Sequence, residues 1–249
     1  MEIVDMEKVE RRRGIASTVK AVDFVSQYSE GVERFLRDNQ SAMGDEWVKN
    51  AGSKLYNLQG KNKEGDILGS STDIGVAIAT FTNVPLITGQ QLLGLYKQTG
   101  DKNPFGSVYV DFGVQVNGAP KVNPVQAKLL LADFAKRGIK IENGRVPDLV
   151  QLRLIADKEA GLAYKLADDV KDVALVSAYP FREGYIGKDG LFRAYLYRLG
   201  CWLAGDGYLV DSYVNGRVVR YDAEGVARVA PKPGKDLVGK LAQDFAEKF

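Results

Sequence analysis

Histidine is missing from all 249 residues, and cysteine occurs once, at Cys201. Histidine is the side chain that titrates near neutrality, so its absence removes the commonest general acid–base and metal-ligating group. Ser-His-Asp and Cys-His nucleophile systems, histidine-ligated zinc and the two-His-one-carboxylate iron site each need an imidazole and are excluded. A single cysteine cannot close an internal disulfide, so nothing points to an oxidising compartment. The chain also has no G-x-x-x-x-G-K-[ST] phosphate loop and no G-x-G-x-x-G turn, which removes the usual glycine-rich nucleotide cradles. Charge of neither sign dominates: 34 Lys and Arg stand against 32 Asp and Glu, interleaved throughout. Binding of a polyanion must therefore come from a local patch.

What is present suits a folded protein. Hydrophobic residues make up 45% of the chain, enough for a substantial core. The N-terminus, MEIVDMEKVERRRG, mixes acids with bases and has no apolar core segment, so it is not a secretory signal. The uncharged run Ile74–Tyr96 is long enough to span a bilayer. It contains Thr, Asn, Pro85 and the pair Gln90-Gln91, polar groups that are costly in hydrocarbon. It reads instead as a buried strand or short helix near 74–81, a turn at Pro85 and a core helix. An intracellular, cytoplasmic protein with no membrane span is the expectation, and nothing calls for a cofactor or a metal.

The fold class expected is α+β, with a mostly helical region 1–100 and a mixed region 101–249. Val22, Val25, Val32 and Phe35 recur at helical spacing over 17–37, and Trp47, Ala51 and Leu55 continue the pattern in the next segment. Thr88 to Gln91 has capping-box form, and Gly100 is placed to stop the following helix. From 107 to 116 the period becomes two: Val108, Val110, Phe112, Val114 and Val116 on one face, Tyr109, Asp111, Gly113 and Gln115 on the other. That predicts a strand with one buried face and Asp111 on its solvent side. Asn123-Pro124-Val125-Gln126 opens a helix that Gly138 closes. A short strand at 139–141 follows, then a helix from Pro147 carrying Leu152, Ile155, Leu162 and Leu166. A strand at 173–178 comes next, then a helix over 189–203. A hairpin over 208–222 turns at Asn215-Gly216, pairing Asp211 with Arg220. The last segment places Leu237, Leu241, Phe245 and Phe249 at four-residue intervals, an amphipathic helix suited to packing on its own domain or to docking on a second copy in a homo-oligomer.

Among chemical motifs, Ser17-Thr18-Val19-Lys20 matches S-x-x-K but lacks a downstream Lys-Thr-Gly, since Lys97-Gln98-Thr99-Gly100 breaks it. Asp66, Asp73, Asp111, Asp206 and Asp211 could hold Mg²⁺ only if the fold gathers them. The positive signal lies between Tyr179 and Tyr221, which hold seven of the twelve tyrosines, interleaved with arginines. Aromatics that stack bases beside arginines that hold phosphates make single-strand nucleic-acid surfaces; Tyr and Arg also mark protein interfaces. On the expected helix 189–203, Phe192, Leu196, Leu199 and Leu203 face inward, while Arg193 and Tyr197 share another face.

Within this region Gly187-Lys188-Asp189-Gly190 precedes the expected helix, where free N–H groups favour phosphate. The loop resembles the G-x-x-G of KH domains, and the order of elements over 173–249 is similar. That resemblance implies a nucleic-acid-binding module. It departs from the family at Pro180–Gly184, a poor helix, and in a helix that runs on through Trp202. A winged-helix arrangement fits the same order.

The leading expectation is a binding protein rather than an enzyme, with DNA or RNA as its partner. Lys188, Arg193, Arg198, Arg217 and Arg220 would contact phosphates, Tyr185, Tyr197 and Tyr213 would stack on bases, and Gly187 and Gly190 would let the backbone approach. The alternatives are a structural or assembly protein, such as a capsid or filament subunit, and a carboxylate–metal enzyme acting on nucleic acid.

Overall fold

The computed structural model describes residues 15–19, 25–56, 71–209 and 216–222. Along the chain run β1 (Ile15–Val19), α1 (Val25–Met43), α2 (Asp45–Tyr56), α3 (Thr72–Phe81), α4 (Gly89–Gln98), β2 (Tyr109–Asn117), α5 (Pro124–Lys136) and β3 (Arg145–Val146). They are followed by β4 (Leu152–Asp157), β5 (Gly161–Leu166), β6 (Ala174–Leu175), β7 (Phe181–Ile186), β8 (Gly190–Leu196), β9 (Trp202–Asp206) and β10 (Gly216–Asp222). Helices and a mixed sheet make this an α+β fold. No helix among the described residues is long and apolar enough to cross a membrane.

The uncharged run folds as the sequence implies. Ser71 caps α3, its hydroxyl accepting from the Ile74 N–H at 3.3 Å. The chain then turns through Pro85, whose carbonyl accepts from the Tyr221 N–H at 2.8 Å, and α4 begins at a reciprocal Thr88–Gln91 capping box. Helix α4 ends in a Schellman motif, with the Asp101 N–H donating to the Tyr96 carbonyl and the Gly100 N–H to that of Lys97. The same pattern at Gly138 and Ile139 ends α5. Asn123 adopts a left-handed conformation, and its side chain makes no cap bond. Its amide donates instead to the Leu191 and Gly207 carbonyls at 2.8 and 2.7 Å, tying α5 to the sheet.

Strands β1, β10, β2, β8, β9 and β7 lie side by side in that order, with β3 on β2 and β6 on β3. Strand β2 is parallel to β10 and antiparallel to β8, and β9 is antiparallel to β8 and parallel to β7. β2 is buried along almost its whole length, as a central strand with both faces covered must be. A bulge between Asp111 and Gly113 turns it over. Val110 and Phe112 join one core with Ala194, Leu196 and Val219 under α4, while Val114 and Val116 join the other with Leu191, Val218 and residues of α1, α2, α3 and α5. The expected single apolar face is thus two half-faces. Gly113 is required at the bulge: a side chain there would collide with the Pro147 carbonyl, which accepts from the Val114 N–H at 3.1 Å. The larger core draws on residues from Tyr28 to Val218 and so crosses the division expected near residue 100.

Several expected elements are corrected. Residues 15–19 are a strand paired with β10, so they are not part of the helix predicted from 17, whose described part is α1, and Ser17 of the S-x-x-K match lies opposite Arg220. Residues 139–141 form no strand. The helix predicted from Pro147 is the hairpin β4–β5, in which Leu152 faces Leu166 and Leu154 faces Tyr164; pairing of these period-two residues outweighs a superficially helical spacing. The strand expected at 173–178 is two residues, Ala174–Leu175, then a turn of 3-10 helix, Val176–Ala178. The helix predicted over 189–203 is the antiparallel pair β8–β9. Strand β10 has β1 on one side and β2 on the other, so it is not half of a 208–222 hairpin. Asp211, Tyr213 and the C-terminal segment with Leu237, Leu241, Phe245 and Phe249 lie outside the described residues.

Candidate functional site

At one end of the sheet β2 and β10 begin, β8 ends and β9 begins. Register pairs Asp111 with Tyr195 and Gly216 with Tyr109. The period of a strand puts Tyr109 on the face of Asp111, and Tyr197 on the face of Tyr195. The three rings meet: Tyr109 and Tyr197 edge to face at 5.0 Å between centroids, Tyr109 and Tyr195 tilted at 6.1 Å. All three are half-buried. The β8–β9 turn that carries Tyr197 is closed by its N–H donating to the Cys201 carbonyl at 2.7 Å. Arg198, exposed on that turn, holds its guanidinium 5.7 Å from the Tyr197 ring centre. Hydrogen bonding to Arg198, and then to Tyr109, holds the Tyr197 phenol below the ordinary tyrosine value.

Behind these rings lies an ion pair with no solvent exposure. Asp111 and Arg193 are both fully buried. Arg193 donates through Nε to Asp111 Oδ1 and through Nη2 to Oδ2, the latter at 2.9 Å. The Tyr195 ring centre is 4.6 Å from the guanidinium carbon. Two expectations are corrected here. Asp111 is not on a solvent face, and Arg193 is not exposed to meet a phosphate, because its guanidinium is buried against Asp111, which lies diagonally across the ladder from it.

The other nominated residues divide by position. Gly187, Lys188 and Gly190 form the β7–β8 turn at the far end of the sheet, and a strand, not a helix, follows. The anion site expected at a helix N-terminus is therefore not built. The Gly187 backbone is already engaged: its N–H donates to Gln115 Oε1 at 3.0 Å and its carbonyl accepts from Gln115 Nε2 at 2.8 Å. Gly190 backs onto Val122, Lys188 is exposed, and neighbouring Asp189 pairs with Lys121 at 2.7 Å. Tyr185, 49% exposed on β7, lies 5.2 Å from the Arg182 guanidinium. Arg217 is at the tyrosine end, donating to its neighbour's carbonyl, that of Gly216, at 2.6 Å. Arg220 lies further along β10, bridged to Leu86. The structure thus brings Tyr197, Arg198 and Arg217 to one end of the sheet and leaves Lys188, Gly187 and Gly190 at the other. It adds Tyr109 and Tyr195, which sequence reasoning passed over; Tyr195-Leu-Tyr197, read with a strand's period of two, is the signal that could have found Tyr195, whereas Tyr109 comes there only by strand pairing.

Much of the aromatic excess is core. Trp202, 1% exposed, is enclosed by Tyr179 stacked at 5.7 Å, Phe112 at 5.2 Å and Tyr96 at 5.6 Å. Leu199, expected to face inward, is 76% exposed at the tip of the β8–β9 turn.

Two other carboxylates, Asp73 and Asp148, are buried. Asp73 accepts from the Tyr164 hydroxyl and lies 3.6 Å from Lys54 Nζ. Burial raises its pKa, and Lys54 opposes the rise. The cavity beside them measures about 10 Å³, the room one water needs. Among the described residues no three His, Cys, Asp or Glu side chains gather as metal ligands.

Asp148 accepts from the Gly89 N–H at 2.8 Å, joining the start of α4 to the segment packed on the β2 bulge. Burial pushes its carboxyl up to about 6, against a normal 3.8, although the Gly89 hydrogen bond opposes the rise. The fold therefore favours the protonated acid. This residue's contribution to stability is present below about pH 4 and lost as pH rises through about 6, a change on the order of 3 kcal/mol. Urea denaturation between pH 4 and 7 checks it: subtracting the Asp148→Asn profile from the wild-type profile should leave that decline. A flat difference would contradict it.

No family model, curated protein or solved structure matches the chain.

Proposed function

We propose that the chain binds single-stranded nucleic acid without catalysing a reaction, at the sheet end formed by Tyr109, Tyr195 and Tyr197 with Arg198. The observation that carries this reading is the contact among three half-buried tyrosine rings beside an exposed guanidinium. Aromatic faces accept any unstacked base, and a neighbouring arginine supplies the phosphate contact, so affinity arises without sequence-specific readout. The Asp111–Arg193 pair supports the platform from beneath, since Tyr195 rests against the guanidinium. Assembly through β7 is less favoured: between Phe181 and Ile186 four residues stand opposite one of β9, and such a bulge blunts an edge against pairing with another chain.

Fluorescence anisotropy with labelled single-stranded DNA and RNA tests the proposal. Tyr197→Ala combined with Arg198→Glu should weaken binding by about tenfold to a hundredfold, the worth of one stacked base and one phosphate contact. Lys188→Glu, at the far end of the sheet, should leave it unchanged. Equal affinity for the wild type and the Tyr197/Arg198 variant would sink the proposed surface.

A further inference from the structure

Strand β7 carries an exposed aromatic–cation pair in line with the tyrosine platform. Phe181 is abreast of Trp202, and Trp202 of Leu196. One residue further along β9, Leu203 is paired with Tyr195, and the four bulged residues Arg182 to Tyr185 of β7 stand opposite Leu203 together. The row Asp111, Tyr195, Leu203 thus crosses β2, β8 and β9 and ends at the bulge of β7. From Tyr195 to the bulge of β7 is two strand spacings, about 10 Å, the length of about three stacked nucleotides at about 3.4 Å each. Arg182 begins the loop-out in β7, in which Gly184 has a positive φ of 83° and Arg182 to Ile186 are all exposed. The Arg182 guanidinium lies over the Tyr185 ring, the same pairing that Arg198 makes with Tyr197. Bulges re-aim side chains beside binding sites. This one turns out a cation and a ring where a plain edge strand would keep its alternation.

We infer that the bulge of β7 is a second contact point for the strand held at Tyr109, Tyr195 and Tyr197, so that one single-stranded nucleic acid spans both, with Tyr185 stacking and Arg182 on phosphate. This rests on the function proposed above. The occupant is argued from charge and spacing: Arg198 and Arg182 bracket the row, Glu183 is the one acid in the bulge, and a polyanion with bases at nucleotide spacing matches both ends. Tyr197 and Arg198 lie about 7 Å beyond Tyr195 along β8, so the footprint exceeds the three nucleotides between Tyr195 and the bulge, and the two contact points are separable by ligand length.

Anisotropy with a thymidine trinucleotide and a thymidine decanucleotide tests it on the full chain. Tyr185→Ala should weaken decanucleotide binding about tenfold and leave the trinucleotide unaffected, Tyr185→Phe should retain wild-type affinity, and Tyr197→Ala should weaken both. If Tyr185→Ala binds the decanucleotide as wild type does while Tyr197→Ala is impaired, the extension to β7 is wrong and the platform stands. If the wild type binds neither oligonucleotide, both fail.

Discussion

Asp111→Ala is expected to destabilise the fold by about 3–5 kcal/mol, because it leaves the Arg193 guanidinium charged, buried and without its carboxylate. Both residues have no exposed surface and sit on β2 and β8, which form the middle of the sheet. Protein stabilities lie near 5–15 kcal/mol, so a loss of this size threatens folding itself. A buried salt bridge of this kind adds little net stability. Desolvating two charges is expensive, and well-packed apolar residues of similar volume often match or exceed the pair. Asp111→Leu with Arg193→Met should therefore recover most of the loss of either single change. Urea denaturation of the two single variants and the double gives the coupling directly. A single variant within about 1 kcal/mol of wild type would contradict the burial and pairing described here.

Trp202→Ala should cost about 3–5 kcal/mol. The indole is the centre of the smaller core, in contact with Tyr96, Phe112, Tyr179 and Phe181. Aromatic pairs of this kind add about 0.5–1.5 kcal/mol each beyond the area they bury. The Trp202 N–H has no hydrogen-bond partner among the described residues, so Trp202→Phe removes volume but breaks no polar contact. It should cost clearly less than the alanine change. Thermal denaturation followed by near-ultraviolet circular dichroism reports both the loss and the aromatic packing. Equal costs for the two substitutions would show that the ring stack is not what holds this core.

The helical half was legible because its signals are local. The Thr88–Gln91 box, the stops at Gly100 and Gly138, and Pro124 at a helix start are each set by chemistry within a few residues. Strands β8 and β9 were not legible, for a physical reason. Leu191 to Ala194 are buried on both faces, which removes the alternation that marks a strand, and Phe192, Leu196, Leu199 and Leu203 happen to fall at helical intervals. The bulge at Phe112 hid a second feature: period-two reading carried past it assigns Val114 to the wrong face. Arg193 illustrates the limit for the site. Its charge suggested solvent or phosphate, and only the pairing of β2 with β8, which nothing local specifies, brings Asp111 diagonally within its reach. Tyr197 and Arg198 survived as surface residues because a turn exposes them whatever precedes it.

A single-stranded polyanion held at the tyrosine end of the sheet must show itself in the salt dependence of binding. With Arg198 and Arg182 on phosphates, log affinity for an oligothymidine decanucleotide should fall linearly with log salt at a slope of about −1.4, two contacts at about −0.7 each. Arg198→Gln should make that slope shallower by about 0.7. A wild-type slope near zero, or one that Arg198→Gln leaves unchanged, would mean that no polyanion is held there through Arg198.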